Sequence, residues 1–564
     1  MQNYQTKRNW KIFWIRSLNV TILSLILILA TPGVLLAKGN GPEKVDVIVI
    51  HAQGSEKAAS VVRGHGGEVK KELGIINGVS VSLPVKAIQA LQKNKNIVAI
   101  YPDVEIQFFF DLSVFFKTSS TQTADQVSVT GAETLHEQGL TGRGVTVAIL
   151  DSGFYAVPEL INDTSGQKRV KAYYDVFQNA IEPVGTSDLA FDLNGHGSHL
   201  TSLIANSGTA NGTYKGIAPD VNLVIVRAFD AEGKAYYSDV IAGLDWIVAN
   251  KDTYNIRVLN LSFSATPQSF YWDDPLNQAV MKAWQAGIVV VAAAGNGGPD
   301  SMTIGVPGNI PYVLTVGAFS DNQTPTNRTD DYLTSFSSAG PTVEGFVKPE
   351  VVAPGSKLIG FMPTLSVLGL GHLEWQVSFN QYKLSGTSQA TAVTSGMAAL
   401  LLQQDPTLSP DDVKCRLMSS SNPVVDANGQ LAYSIFQQGA GFLDGVNAID
   451  NTAVGCANIG IDINKDLLGE EHYGGRANQD EYGSYYIMDM EDNYIWDGGY
   501  AWGEGYAWGE GYVWGEGYAW GESYLWEDGY IWSEGYTWGE SYIWGEGYVW
   551  GEGYVWGEIW IWGE

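Results

Sequence analysis

Two periods of apolar and polar positions follow one another along this chain. Between residues 43 and 108 the pattern switches repeatedly: VDVIVIHA, then EKAASVVRGHGG, VSVSL, PVKAIQALQKN and NIVAIYPD. With an extra strand near Glu68–Leu73, this order predicts a small β-α-β-β-α-β unit within 38–109. From 124 to 452 the strands change character. VTVAILD (145–151), LVIVRAF (223–229), VLNLS (258–262), IVVVAAA (288–294) and VLTVGA (313–318) are nearly continuous apolar runs. Strands covered by helices on both faces read this way, and stretches such as 237–250 and 275–286 read as the amphipathic helices that cover them. The expectation is an α/β domain with a parallel doubly wound sheet, whose chemistry gathers at the carboxyl ends of the strands.

Beyond 452 the periodicity fades. Residues 453–492 are polar and are expected to form a linker. From Asn493 to Glu564 a six-residue repeat G-Y-x-W-G-E takes over, holding thirteen of the nineteen tryptophans. An even period puts Tyr, Trp and Glu on one face of an extended chain, so a β-type array is one reading. Glycine-dense sequence of a single charge sign also suits a disordered chain, and both readings stand. At the other end, Lys7, Arg8, Lys11 and Arg16 precede the apolar run Val20 to Ala30. Pro32 and Gly33 follow, and Ala37 offers a small residue for cleavage. Residues 1–37 therefore read as a signal peptide, and the protein is expected to be secreted or held at the cell surface.

Length and charge narrow the picture. At 564 residues several segments are expected, and the net charge of −29 argues against nucleic acid as a partner. No Lys or Arg follows Arg476. Two cysteines, Cys415 and Cys456, exclude a disulfide scaffold; they either pair once or stand as two thiols.

Four motifs carry candidate chemistry. Asp151 ends the strand VAILD before Ser152–Gly153, a place where a turn aspartate is also common. His196 lies in NGHGSH at the start of a helical run; His199, three positions on, raises a metal pair, but no carboxylate stands at the spacing such a site needs. Ser388 lies in SGTSQA before the apolar segment Ala392–Leu402, where free backbone N–H groups and the helix dipole favour an oxyanion; an ordinary cap serine fits too. Asn296 closes AAAGN, and its amide suits an oxyanion donor as well as a turn. Singly each motif is weak. Together they supply a hydroxyl, a base, a carboxylate to orient the base, and oxyanion donors, all in one α/β domain.

The segments ILDSG, NGHGSH, AAAGN and SGTSQAT resemble those of the subtilase family. The likeness extends over 124–452 through YKGIAPDVNL, SSAGPT, KPEVVAPG and GAGFLDGVNAI. It implies a subtilisin-like serine endopeptidase acting on polypeptides, with Asp151 orienting the base His196, Ser388 as nucleophile, and Asn296 with the Ser388 N–H as oxyanion hole. Ser262, Phe263 and Ser264, with Ala293, Ala294 and Gly295, would flank the substrate. Activity is then expected to fall at acid pH as the base protonates. The N-terminal unit is similar to the α+β, ferredoxin-like propeptide of this family, an intramolecular inhibitor removed by a cut expected near Gln107–Phe110. The chemistry needs no cofactor; structural calcium belongs to what the resemblance allows, with no residue assigned to it. The chain departs from the family at Ser198 (usually Thr), Ser202 (usually Gly), Ala392 (usually Pro) and Ser264 (commonly Gly). The aromatic tail suits attachment to a cell-wall polysaccharide, self-association or surface retention. A rival reading makes the protein a catalytically inert surface or binding protein that works through its tail. A missing catalytic position would favour it, and all four are filled.

Overall fold

The computed structural model describes residues 44–108, 125–183, 192–325, 327, 330–425, 430–479 and 485–487, with short strand pairs further on. The expected signal peptide and most of the repeat tail lie outside them. The first elements are β1 (Lys44–His51), α1 (Ser55–Gly64), β2 (Glu68–Leu73), β3 (Gly78–Pro84), α2 (Val85–Leu91) and β4 (Ile97–Pro102). Their sheet has the order β2-β3-β1-β4. Each helix buries one stripe against it, Ala58, Ala59 and Val62 from α1 and Ala87, Ile88 and Leu91 from α2. A short strand, β5 (Glu105–Gln107), leaves this unit and pairs antiparallel with β9 (Lys234–Tyr236) of the larger domain.

The larger domain is built on a nine-stranded sheet. Its middle runs parallel: β12 (Leu314–Ser320), β11 (Val289–Ala293), β10 (Ile256–Leu261), β6 (Thr146–Asp151), β8 (Asn222–Arg227) and β7 (Val170–Asp175), in that order. Short edge strands at Ala180–Ile181 and Tyr332–Leu333 pair antiparallel, so the sheet is mixed and mostly parallel. Every residue of β6, β11 and β12 is buried, as their unbroken apolar runs require. Helices α3 (His196–Ala205), α4 (Tyr237–Ala249), α5 (Pro275–Gln285) and α6 (Thr387–Gln404) cover the faces. The long helix α6 is buried nearly all round, its small polar residues Thr391, Thr394 and Ser395 included.

One expectation is corrected here. Residues 453–479, read as part of a linker, fold back onto the domain. Asp466, in α7 (Ile463–Leu468), accepts hydrogen bonds from the hydroxyls of Tyr271 (2.6 Å) and Tyr312 (3.0 Å), and His472 Nδ1 lies 2.8 Å from its other oxygen. Tyr473 is buried, and Gly475 N–H and Ala477 N–H donate to the carbonyls of Glu344 and Gly345. The segment docks through polar groups that find partners on the domain and through a few scattered apolar residues, Ile461, Ile463, Leu467 and Tyr473, so it carries no regular hydrophobic period to read. A disulfide joins Cys415 to Cys456 and ties the same segment down. In the tail, Ala507–Trp508 pairs in parallel with Ala519–Trp520, and Ile543–Glu546 with Val555–Ile559.

Candidate active site

Strand ends and helix starts converge where a doubly wound sheet places its chemistry. Asp151 is the last residue of β6, and His196 the first of α3. Their side chains are buried together, with His196 Nδ1 at 2.9 and 3.1 Å from the two Asp151 oxygens. A carboxylate on Nδ1 fixes the tautomer with its lone pair on Nε2. Ser388 is the second residue of α6 and lines the same pocket as His196. Its hydroxyl donates to the Ser262 carbonyl at 2.9 Å, while Ser262 Oγ donates to the Ser388 carbonyl at 3.0 Å. Asn296 follows β11, and its Oδ1 accepts from Thr387 N–H (2.9 Å) and Thr387 Oγ1 (3.0 Å). With the oxygen held this way, Nδ2 forms the opposite edge of the amide, and Asn296 lines the same pocket.

Of the substrate-flanking residues, Ser262, Phe263, Ser264, Ala293 and Gly295 line this pocket. Ala294 does not: it is fully buried in the wall, its N–H on the Val316 carbonyl. Ser264, where a glycine is common, is accommodated by other glycines. A Cβ at Gly305 would stand 2.0 Å from Ser264 Oγ, and one at Gly295, whose φ is +110°, 2.9 Å. His199 is a core residue. Its Nε2 lies 3.2 Å from the carbonyls of Leu358 and Tyr382, and burial, with His196 adding to it, pushes its imidazole down to about 3. No group of His, Cys, Asp or Glu that could hold a metal ion occurs among the described residues.

Two residues escaped the sequence reading. Asp192, fully buried, accepts hydrogen bonds from Ser152 Oγ (2.9 Å), Gly195 N–H (2.7 Å), Ser198 N–H (2.8 Å) and Ser198 Oγ (2.6 Å). It thus binds the loop before His196 to the turn after Asp151, where Ser152 N–H also donates to Asp151 at 2.8 Å. The hydroxyl of Ser198 is what this contact needs from a Thr or Ser. The second is Phe108. Its N–H donates to the Gly233 carbonyl (3.0 Å), and its ring lies 4.3 Å from that of His196 and 4.4 Å from that of Phe229. The end of the N-terminal unit therefore lies in the cleft itself. A turn aspartate and a phenylalanine in an aromatic run carry no local mark of either role.

The model of the Subtilase family matches residues 142–441. The chain belongs to the subtilase family. It is similar to serine protease AprX of Bacillus subtilis, 34% identical over 420 residues, covering 72% of this chain and 88% of that protein. It is also similar to subtilisin J of Geobacillus stearothermophilus, 29% identical over 418 residues, covering 73% and 94%. Among solved structures, fervidolysin from Fervidobacterium pennivorans, a keratinolytic enzyme related to subtilisin, matches with a TM-score of 0.56 at 20% identity. That match covers 80% of this chain and 69% of fervidolysin and reports the shared fold. The present subtilase is thus a subtilisin-type serine endopeptidase whose substrates are polypeptides.

Proposed function

We propose that this subtilase cleaves peptide bonds through an acyl-enzyme on Ser388, with His196 as general base and Asp151 as its orienting carboxylate. One observation carries the reading: the Asp151 carboxylate holds the Nδ1 edge of a buried His196 in the cleft that Ser388 lines. In the mechanism the Ser388 hydroxyl turns from the Ser262 carbonyl to His196 Nε2. Nε2 takes its proton during attack on the scissile carbonyl and then gives it to the leaving amine. The oxyanion is met by the Ser388 N–H at the start of α6 and by Asn296 Nδ2, whose orientation Thr387 sets. A water repeats the sequence to free the acid.

The protein is exported by its N-terminal signal and made as a proenzyme. Residues 38–109 act as its inhibitor, because β5 and Phe108 occupy the acyl side of the cleft as a substrate strand would, and self-cleavage falls near Gln107–Phe110. Asp103 strengthens this docking. Its carboxylate accepts from Ser238 N–H (3.0 Å) at the start of α4 and from Ser80 Oγ (2.8 Å). The aromatic tail attaches the enzyme to cell-wall polysaccharide by stacking on sugar rings.

The test is labelling of the purified protein with a fluorophosphonate, beside Ser388→Ala, while trimming near residue 108 is followed on a gel. Labelling and trimming in the parent alone support the reading. A parent that takes no label, even after another protease removes residues 38–109, would sink it.

A further inference from the structure

Between Pro354 and Ser385 the chain builds a flap that the catalytic chemistry does not use. Strands Leu358–Phe361, Gln376–Ser378 and Gln381–Leu384 form its three-stranded sheet. Met362, Leu368, Trp375, Tyr382 and Leu384 form a small core of their own. That core makes the flap a folded unit, and a folded unit has room to turn apolar side chains inward. This one turns several outward. Leu365 is 80% exposed and Phe379 81%, and Val367, Leu370 and Leu373 are exposed beside them. Single exposed apolar residues are ordinary; a cluster on one short, well-built segment marks a surface that is covered in use.

The flap is joined to the catalytic centre through its middle and through its C-terminal end. Val367 N–H donates to the Leu193 carbonyl (2.8 Å) and Leu368 N–H to that of Asn194 (3.1 Å), two residues before His196. Met362 packs so closely on Gly195 that a Cβ there would stand 2.5 Å from Met362 Cγ. The strand Gln381–Leu384 then runs directly into Ser385-Gly386-Thr387-Ser388. On the proposed inhibitor reading, β5 along β9 and Phe108 against His196 mark the acyl side of the cleft. No flap residue is among those that line the pocket beside Phe108. A chain bound in that direction leaves the centre by the other side. In this protein the residues that follow Phe108 are Phe109-Phe110-Asp111-Leu112-Ser113-Val114-Phe115-Phe116, dense in large apolar side chains.

We propose that the flap binds the leaving-group side of polypeptide substrates and favours apolar residues there. The proposal rests on the protease reading above. It adds a determinant of specificity, with the protein's own sequence after Phe108 as the pattern preferred.

The experiment uses purified enzyme whose N-terminal unit has been trimmed, the variant Leu365→Ser/Phe379→Ser, and three substrates. One internally quenched peptide carries residues 104–116. A second replaces Phe110, Leu112, Val114, Phe115 and Phe116 by Ser. The third is the para-nitroanilide of residues 105–109, which has no leaving-side residues. The parent should cleave the first peptide with kcat/KM about tenfold or more above the second, the order that burying two large apolar side chains supplies. In the variant that ratio should fall towards one while the anilide is hydrolysed as by the parent. Both replaced side chains are exposed, so the fold does not depend on them, and the anilide rate checks this. Equal cleavage of the two peptides by the parent, or a ratio unchanged in the variant, overturns the proposal. A parent that sediments as a dimer, a monomeric variant and an unchanged ratio together would assign the flap to a second copy of the chain instead. If even the anilide is not hydrolysed, the protease reading falls and takes the proposal with it.

Discussion

Glu344 gives the sharpest energetic test of the structure. Its Oε1 accepts from Tyr271 N–H at 2.7 Å, while Oε2 is buried without a hydrogen-bond partner. Burial, more than any other cause, pushes this carboxyl from the usual 4.5 up to about 7, with Asp274 adding to the rise. The folded protein therefore binds more protons at this site than the unfolded chain between those two values. Stability from this group is fully present below the unfolded value and is lost as pH climbs through about 7. A difference of about 2.5 pH units corresponds to about 3 kcal/mol once both states are ionised. Glu344→Gln cannot ionise and should escape that loss. In a Ser388→Ala background, which removes self-digestion, the Gln variant should gain about 3 kcal/mol over its parent between pH 4 and pH 8.5. That gain is about 4 °C in Tm for a domain of this size. Differential scanning fluorimetry at the two pH values reads it. An offset from the amide's own fit shifts both values equally, so the change in the difference is what counts. A difference that stays constant with pH, or shrinks at pH 8.5, would refute the claim that this carboxyl is held neutral by burial.

Two further outcomes follow from the geometry. Asp192→Asn faces an amide N–H₂ toward donors that now meet a carboxylate, and loosens the loop that carries His196. A loss of about 30- to 100-fold in kcat with KM little changed is expected, and steady-state kinetics on a short anilide will show it. Reducing the Cys415–Cys456 bond reopens a span of 41 residues. By chain entropy this costs about 4 kcal/mol, so thermal melts of the Ser388→Ala protein with and without reductant should differ by several degrees.

Much of the fold was legible because its strands lie buried on both faces, and burial of that kind leaves unbroken apolar runs. The five strands expected in the larger domain occur within a residue or two of their predicted bounds. The strand Val170–Asp175 was missed, since VKAYYD carries charge at both ends. The docked segment 453–479 was missed for a related reason. Its hold on the domain comes from Asp466, backbone N–H groups, one disulfide and a few scattered apolar residues such as Ile463 and Tyr473, and such contacts leave no period in a sequence.

Sequence alone determined which side chains are available for chemistry, because Asp151, His196, Ser388 and Asn296 each sit at a strand end or helix start that local pattern reveals. Tertiary structure alone decided what surrounds them. It set Asp192 beneath the histidine loop, laid Phe108 across His196, turned Ala294 into the wall, paired the cysteines, and left Leu365 and Phe379 exposed on the flap. The physical reason is range. Periodicity and turn chemistry act over a few residues, whereas each of these contacts joins segments that are distant in sequence or depends on what such segments bury.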